Sequence, residues 1–236
     1  MKYFYSASVM GYGEGRHWHK YYNFPKLPIV TKTLTWHSKI GIPFAVIKSG
    51  NSVWNRVGLH NIGFFEWFKK YYLKWSNNFR KNVIVSIAGK DWEIKSMVDI
   101  FDTIYEYNIG GIEINVSCPN VKSFHNIVMP KTDIPLYLKL NYLQDPYDYD
   151  LNNITGIRLN SVPKYFGGVS GKAAQKYNWP FIKKFNHEGL NIAGCSITCY
   201  DDIKLLEDLG CKEIGIGSII LTNASIAEAL EDYDEG

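Results

Sequence analysis

At 236 residues, 46% hydrophobic and 21% charged, the chain has the make-up of a globular protein with one sizeable core, within the length range of a single α/β barrel. A net charge of +3 is too small to imply a nucleic-acid partner, and no apolar run approaches a membrane span. Met1-Lys2-Tyr3 is not followed by the apolar stretch of a signal peptide, and four cysteines without framework spacing suit a reducing compartment, so a cytoplasmic protein with no membrane and no nucleic-acid partner is expected.

Short apolar, β-rich runs recur at Tyr3–Met10, Pro28–Thr35, Val83–Ala88, Gly111–Ser117, Leu136–Leu140, Gly156–Val162, Leu190–Gly194 and Glu213–Ile220. Most are near-continuous rather than alternating, the pattern of parallel strands covered on both faces. Eight such runs predict an α/β fold, a (β/α)8 TIM barrel, with residues 1–236 as one domain. Between them Phe64, Phe65, Phe68, Tyr72 and Trp75 share a helical face. Ile94, Met97, Val98, Phe101, Ile104 and Tyr105 do so after Asp91, a predicted N-cap. Pro180 is expected in the first turn of a short helix containing Ile182 and Phe185. Thr198 is expected to cap a helix through Leu209, ended by Gly210, and Asn223 to cap Ala224–Leu230. Cys118–Pro135 and Asn141–Thr155, rich in Pro, Asn and Asp, show no sustained helical period. The barrel is therefore predicted with some outer helices shortened or missing, and Glu231–Glu235 as a solvated tail.

In the run Gly111–Asn120, Ile112, Ile114 and Val116 alternate with Glu113, Asn115 and Ser117 until Cys118-Pro119 breaks the strand. Such a strand brings the amides of Asn115 and Asn120, the Ser117 hydroxyl and the Cys118 thiol to its C-terminal edge. A lone Cys near a strand end is usually a packed core thiol, but these neighbours turn the reading towards a site. Lys32 and Lys139 each lie in an apolar strand, which is costly unless the amine meets an anion or acceptor, and their equivalent positions suggest one shared electron-rich ligand. Glycine-rich turns at Gly167–Gly171, Ala193–Ser196 and Gly215–Ser218 follow late strands, where barrels often hold a phosphate. Asn55, Asn115, Asn120 and Asn160 together suit a planar, amide-rich ligand. His17-Trp18-His19 and the trio Cys195, Cys199 and Cys211 lack ligand spacing, so no metal is expected. The aromatic run Phe64–Trp75 reads as helix core rather than a platform for bases.

In this order the elements resemble dihydroorotate dehydrogenase of the cytosolic class 1 type. The resemblance rests on Asn115-Val-Ser-Cys-Pro-Asn120, preceded by Thr31-Lys-Thr33 and Ser86-Ile-Ala-Gly89, with Asn55-Arg-Val-Gly-Leu-His-Asn61 similar to that family's substrate loop. Leu138-Lys-Leu140, Asn160-Ser161, Gly167-Gly-Val-Ser-Gly171 and Gly217-Ser218 follow as the family has them. The resemblance implies an FMN-containing barrel that oxidises dihydroorotate to orotate in pyrimidine synthesis. Carried over by position, Cys118 is the catalytic base. Asn55, Gly58, Leu59, Asn115, Asn120, Asn160 and Ser161 hold the substrate. Ala7, Ser8, Lys32, Asn115 and Lys139 contact the flavin, and Gly168, Gly171, Gly194, Ser196, Gly217 and Ser218 line its ribityl phosphate. Cys195-Ser196 departs from the family's Gly-Gly, and Val57 and His60 from a Met and a Pro. The loop after Cys118 and the stretch between Asn160 and Gly167 are shorter than in typical members. Fumarate is the expected electron acceptor in a homodimer; a partner subunit passing electrons to NAD is the alternative. Two rival readings are a tRNA dihydrouridine synthase, although no RNA-binding extension is visible, and a non-catalytic FMN- or pyrimidine-binding barrel.

Overall fold

The structure is a computed structural model that describes residues 1–14, 27–42, 46–103, 108–117, 127–165 and 167–232. Cys118, Asn120, His17-Trp18-His19, Ile104, Tyr105 and the side chains of the acidic end lie outside the described residues. In chain order the strands are β1 (Lys2–Tyr5), β2 (Ile29–Val30), β3 (Val46–Ser49), β4 (Ser52–Asn55), β5 (Val83–Ile87), β6 (Gly111–Asn115), β7 (Leu136–Leu140), β8 (Ile154–Leu159), β9 (Val162–Lys164), β10 (Gly167–Gly171) and β11 (Glu213–Ile216). The helices are α1 (Phe64–Lys70), α2 (Asn77–Lys81), α3 (Asp91–Thr103), α4 (Lys172–His187), α5 (Tyr200–Asp208), α6 (Ile219–Thr222) and α7 (Ala224–Asp232).

Seven strands pair in parallel in the order β11-β1-β2-β5-β6-β7-β8. Residues 191–194 close the ring: Ile192 bridges Ile157 in β8, and Gly194 bridges Ile214 in β11. Here the N–H of Ile157 donates to Asn191 O at 2.8 Å, and that of Gly194 to Glu213 O at 2.7 Å. The result is the expected TIM barrel, with the predicted strand Leu190–Gly194 reduced to two bridges.

Alternation along the strands sorts side chains between two environments. Tyr3, Tyr5, Ile29, Val83, Val85, Ile87, Ile112, Ile114, Leu136 and Leu138 join the main core, together with Ile94, Met97, Val98 and Phe101 from one face of α3. Phe4, Val30, Ile84 and Ala193, with Tyr137 against them, form a small separate cluster inside the barrel. The remaining inward positions are polar or charged: Ser86, Glu113, Asn115, Lys139 and Arg158 are all buried.

The predicted run Pro28–Thr35 is interrupted. Thr31 N–H still donates to Ile84 O and Leu34 N–H to Ser86 O, while Lys32 N–H turns away to Gly11 O at 2.7 Å. The two residues between, Lys32 and Thr33, are thereby set into the barrel mouth. No α-helix lies between β7 and β8, where a single 3-10 turn at Pro146–Asp148 takes its place, and none lies among the described residues between β6 and β7.

Other expectations are corrected. Pro180 lies inside the 16-residue α4 rather than in the first turn of a short helix. The buried stripe Ala174, Gln175, Asn178, Ile182 and Phe185 holds the helix together across the position where proline removes a donor. Asp91 is the first residue of α3, not its cap, and its carboxylate accepts from Val128 N–H at 3.2 Å. Ile219 and Ile220 are helical rather than strand, because Gly217-Ser218 ends β11. Gly210 ends α5 with φ 81° as expected, but Cys199 rather than Thr198 stands at the N-cap position, and Thr198 instead donates its N–H and its hydroxyl to the Asp202 carboxylate.

A second sheet was not legible in the sequence. Strands β3, β4, β10 and β9 pair antiparallel in that order. The stretch read as a glycine-rich turn, Gly167–Gly171, is a strand in it, with Gly168 opposite Asn55. Glycine is required there for close approach: a Cβ on Gly168 would lie 2.2 Å from Ser161 Oγ, and one on Gly171, at φ 75°, 2.3 Å from Asn51 O.

Candidate active site

A pocket of about 400 Å³ lies between the C-terminal mouth of the barrel and the antiparallel sheet. That volume is in the range of small-molecule sites, and the place is where such barrels carry their chemistry. Of the predicted residues, Ala7, Ser8, Lys32, Asn55, Gly58, Leu59, Asn115, Lys139, Asn160, Ser161, Gly168, Ser196, Gly217 and Ser218 line it. Gly171 caps α4 and Gly194 lies in the bridge to β11, so neither is on its wall. Cys118 and Asn120 fall outside the described residues, directly after Ser117.

The strand ends position these groups through a continuous run of hydrogen bonds. Ser86 Oγ donates to Glu113 Oε1 at 2.8 Å and lies 2.9 Å from Thr33 Oγ1. Asn115 Nδ2 donates to Thr33 Oγ1 at 3.0 Å, and Asn115 Oδ1 accepts from the Ser117 hydroxyl at 2.6 Å and the Ser117 N–H at 3.1 Å. Asn160 Nδ2 then donates to Ser117 Oγ at 2.7 Å. Asn115 and Asn160 are thus joined through Ser117, which the sequence placed at the same strand edge. On the loop after β4, Gly58 and Leu59 take φ of 65° and 58°. Buried Asn61 anchors that loop, its Oδ1 accepting from the N–H groups of Thr35 and Gly63.

Three cationic residues line the pocket, Lys32, Arg56 and Lys139, and the two lysines reach it by different routes. Lys32 is half-buried with Nζ 5.7 Å from the Tyr12 ring centre; desolvation pulls its pKa down, opposed by the charge of Glu14. Lys139 is buried in β7, its Nζ 3.3 Å from Glu113 Oε1. Behind them Arg158 Nη1 lies 3.6 Å from Glu113 Oε2, and Arg158 Nη2 lies 3.8 Å from Glu213. The Arg158 guanidinium sits 3.9 Å from the centres of both the Phe4 and Tyr137 rings. Burial pulls its pKa below the usual arginine value, opposed by Glu113, Tyr137 and Glu213. Sequence reasoning flagged Lys32 and Lys139 but passed over Glu113 and Arg158, although each is a charge flanked by apolar strand residues.

The turn after residues 191–194 differs in character from the glycines expected there. Ser196 has φ 66°, a conformation that glycine adopts without strain. Asn178, from α4, reaches Cys195 Sγ at 3.4 Å and Ser196 Oγ at 3.3 Å, and lines the pocket. Its Oδ1 is buried with no hydrogen-bond partner among the described residues. The signal for it was a polar residue inside the apolar stripe of α4. Burial pushes the Cys195 thiol up to about 11, partly offset by Ser196 and Asn178, so it stays protonated near neutral pH. Ser196→Gly should relieve strain on the order of 1 kcal/mol, leaving thermal stability equal or higher. With Cys195→Gly added, affinity for the flavin that the sequence resemblance implies should be equal or higher; a large loss of it would make these side chains ligands themselves.

The dihydroorotate dehydrogenase family model matches residues 4–138. The chain is 25% identical to the catalytic subunit of dihydroorotate dehydrogenase B (NAD(+)) from Thermoplasma acidophilum, over 82% of this chain and 75% of that protein. It is 23% identical to the same subunit from Listeria welshimeri, over 93% of this chain and 84% of that one. Among solved structures, the DHODH of Eimeria tenella in complex with ferulenol superposes with a TM-score of 0.71, covering 98% of this chain and 80% of that one at 13% identity, a likeness of fold. Because the family model spans more than half of a chain that folds as this barrel, the chain belongs to the dihydroorotate dehydrogenase family.

Proposed function

We propose that the chain oxidises dihydroorotate to orotate on a bound FMN, with Cys118 as the base that takes the C5 proton. The observation that carries the reading is the gathering of Lys32, Lys139, Asn55, Asn115 and Asn160 around one pocket at the barrel mouth. The residues present fit FMN: Lys32 and Lys139 would offset charge on an electron-rich ring, and Ser196, with its glycine-like φ, would help hold the phosphate together with Gly217 and Ser218 of the same pocket. When bound, FMN supplies the hydride acceptor.

The chain supplies position and charge. Asn115 and Asn160, tied through Ser117, present a rigid amide edge to a planar pyrimidine. Because Asn115 Oδ1 holds both the N–H and the hydroxyl of Ser117, the residue before Cys118 is fixed. Lys139, buried at the pocket floor, is placed to offset negative charge on the flavin. Val46, Val53, Asn55, Gly168 and Ser170 of the antiparallel sheet form one wall of the pocket.

The named relatives are catalytic subunits of an NAD(+)-linked enzyme, which favours a partner subunit carrying electrons to NAD over fumarate as acceptor. The purified protein should be yellow and should bleach on anaerobic addition of dihydroorotate. A yellow protein that does not bleach would leave a flavin barrel without this activity. One that stays colourless after reconstitution with FMN would overturn the flavin itself. Reoxidation of the bleached protein by fumarate alone would overturn the choice of acceptor.

A further inference from the structure

The interior of this barrel carries a chain of charges where parallel barrels usually stack apolar layers. Its order is Lys139, Glu113, Arg158, Glu213, and each contact uses a different atom. Glu113 Oε1 faces Lys139 and accepts from Ser86, while Glu113 Oε2 faces Arg158. Arg158 is clamped between the Phe4 and Tyr137 rings at 3.9 Å on each side. Its Nε has no hydrogen-bond partner among the described residues, and its Nη1 and Nη2 lie nearest the carboxylates of Glu113 and Glu213 among the charged groups. Lys139 lines the main pocket and also a cavity of about 20 Å³ beneath it, which Glu113 and Arg158 line as well. The network therefore reaches the pocket through one side chain.

We propose that Arg158 is a positioning residue for the flavin site, acting through Glu113 on Lys139; this rests on the flavin reading above. Glu113 alone would cancel the Lys139 ammonium at the pocket floor. With Arg158 on its second oxygen, the trio of Lys139, Glu113 and Arg158 keeps one net positive charge there. Glu213, at the far end, is the more exposed carboxylate, with 21% of its side chain accessible, and solvent screens it. The trio favours the anionic, reduced flavin over the oxidised one, and its charge balance sets how strongly.

The test is the midpoint potential of bound flavin, measured by anaerobic titration of the flavin-loaded protein. Glu113→Gln removes a negative charge and should raise the potential. Arg158→Gln removes a positive charge and should lower it. Each shift should be about tenfold or more in the ratio of affinities for reduced and oxidised flavin, about 30 mV per tenfold for a two-electron couple. The double variant should return close to the parent. A purely structural role would loosen both redox forms alike and leave the potential in place, and that result overturns the proposal, as do shifts of the same sign in both single variants. Should Arg158→Gln not fold, Glu113→Gln must still raise the potential while Arg158→Lys stays near the parent; the opposite pattern is a refutation. Flavin absorbance separates the two levels: a parent that takes up no FMN refutes the flavin reading, whereas a loaded parent with unmoved variants refutes only the role of Arg158.

Discussion

Cys118→Ser is expected to keep the barrel and its bound flavin while slowing flavin reduction by dihydroorotate about 10²-fold or more near neutral pH, the usual contribution of a positioned base. Serine is nearly the size of cysteine, so the Asn115–Ser117–Asn160 hydrogen bonds that precede and flank it should persist. Orotate affinity should then be unchanged. A hydroxyl is far harder to deprotonate than a thiol, so the rate should recover in part as pH rises. Stopped-flow bleaching at several pH values reads both effects. A serine variant as fast as the parent at pH 7 would make Cys118 a bystander. Cys195 serves as the contrast: its thiol, held near pKa 11 by burial, is protonated through this range, and its removal should not produce that pH profile.

Lys139→Ala should act on stability and on the cofactor together. The amine is 3.3 Å from Glu113, and the two side chains are 9% and 1% accessible. Removing one partner of a buried pair typically costs about 3–5 kcal/mol, because the other charge is left desolvated. Arg158 remains beside Glu113, so the lower end of that range is expected. The same change takes the cation from the pocket floor, so the protein should retain less FMN and its flavin should be harder to reduce. Thermal unfolding, flavin content and midpoint potential separate these effects. Lys139→Met, which keeps most of the volume, should lose flavin to a similar degree. A variant with unchanged flavin content and potential would remove Lys139 from the site.

The sequence by itself determined the barrel and most of the pocket. Parallel strands buried on both faces read as near-continuous apolar runs, so β5, β6 and β7 were visible within a residue or two. The Asn-Val-Ser-Cys-Pro-Asn run and the lysines at 32 and 139 stand out on the local chain, and Lys32, Asn115 and Lys139 do meet at one pocket. The tertiary structure decided what depends on partners far apart along the chain. Gly168 faces Asn55 in the antiparallel sheet, and the two lie more than a hundred residues apart, so no local pattern shows their pairing. Closure of the barrel at residues 191–194 rests on two bridges, too short to leave a strand signature. Glu113 and Arg158 stood in the sequence as charges within apolar strands, but register brings one to Lys139 and sandwiches the other between Phe4 and Tyr137. Periodicity reports which face a residue takes, whereas the neighbour it meets there is set by how the strands align across the barrel.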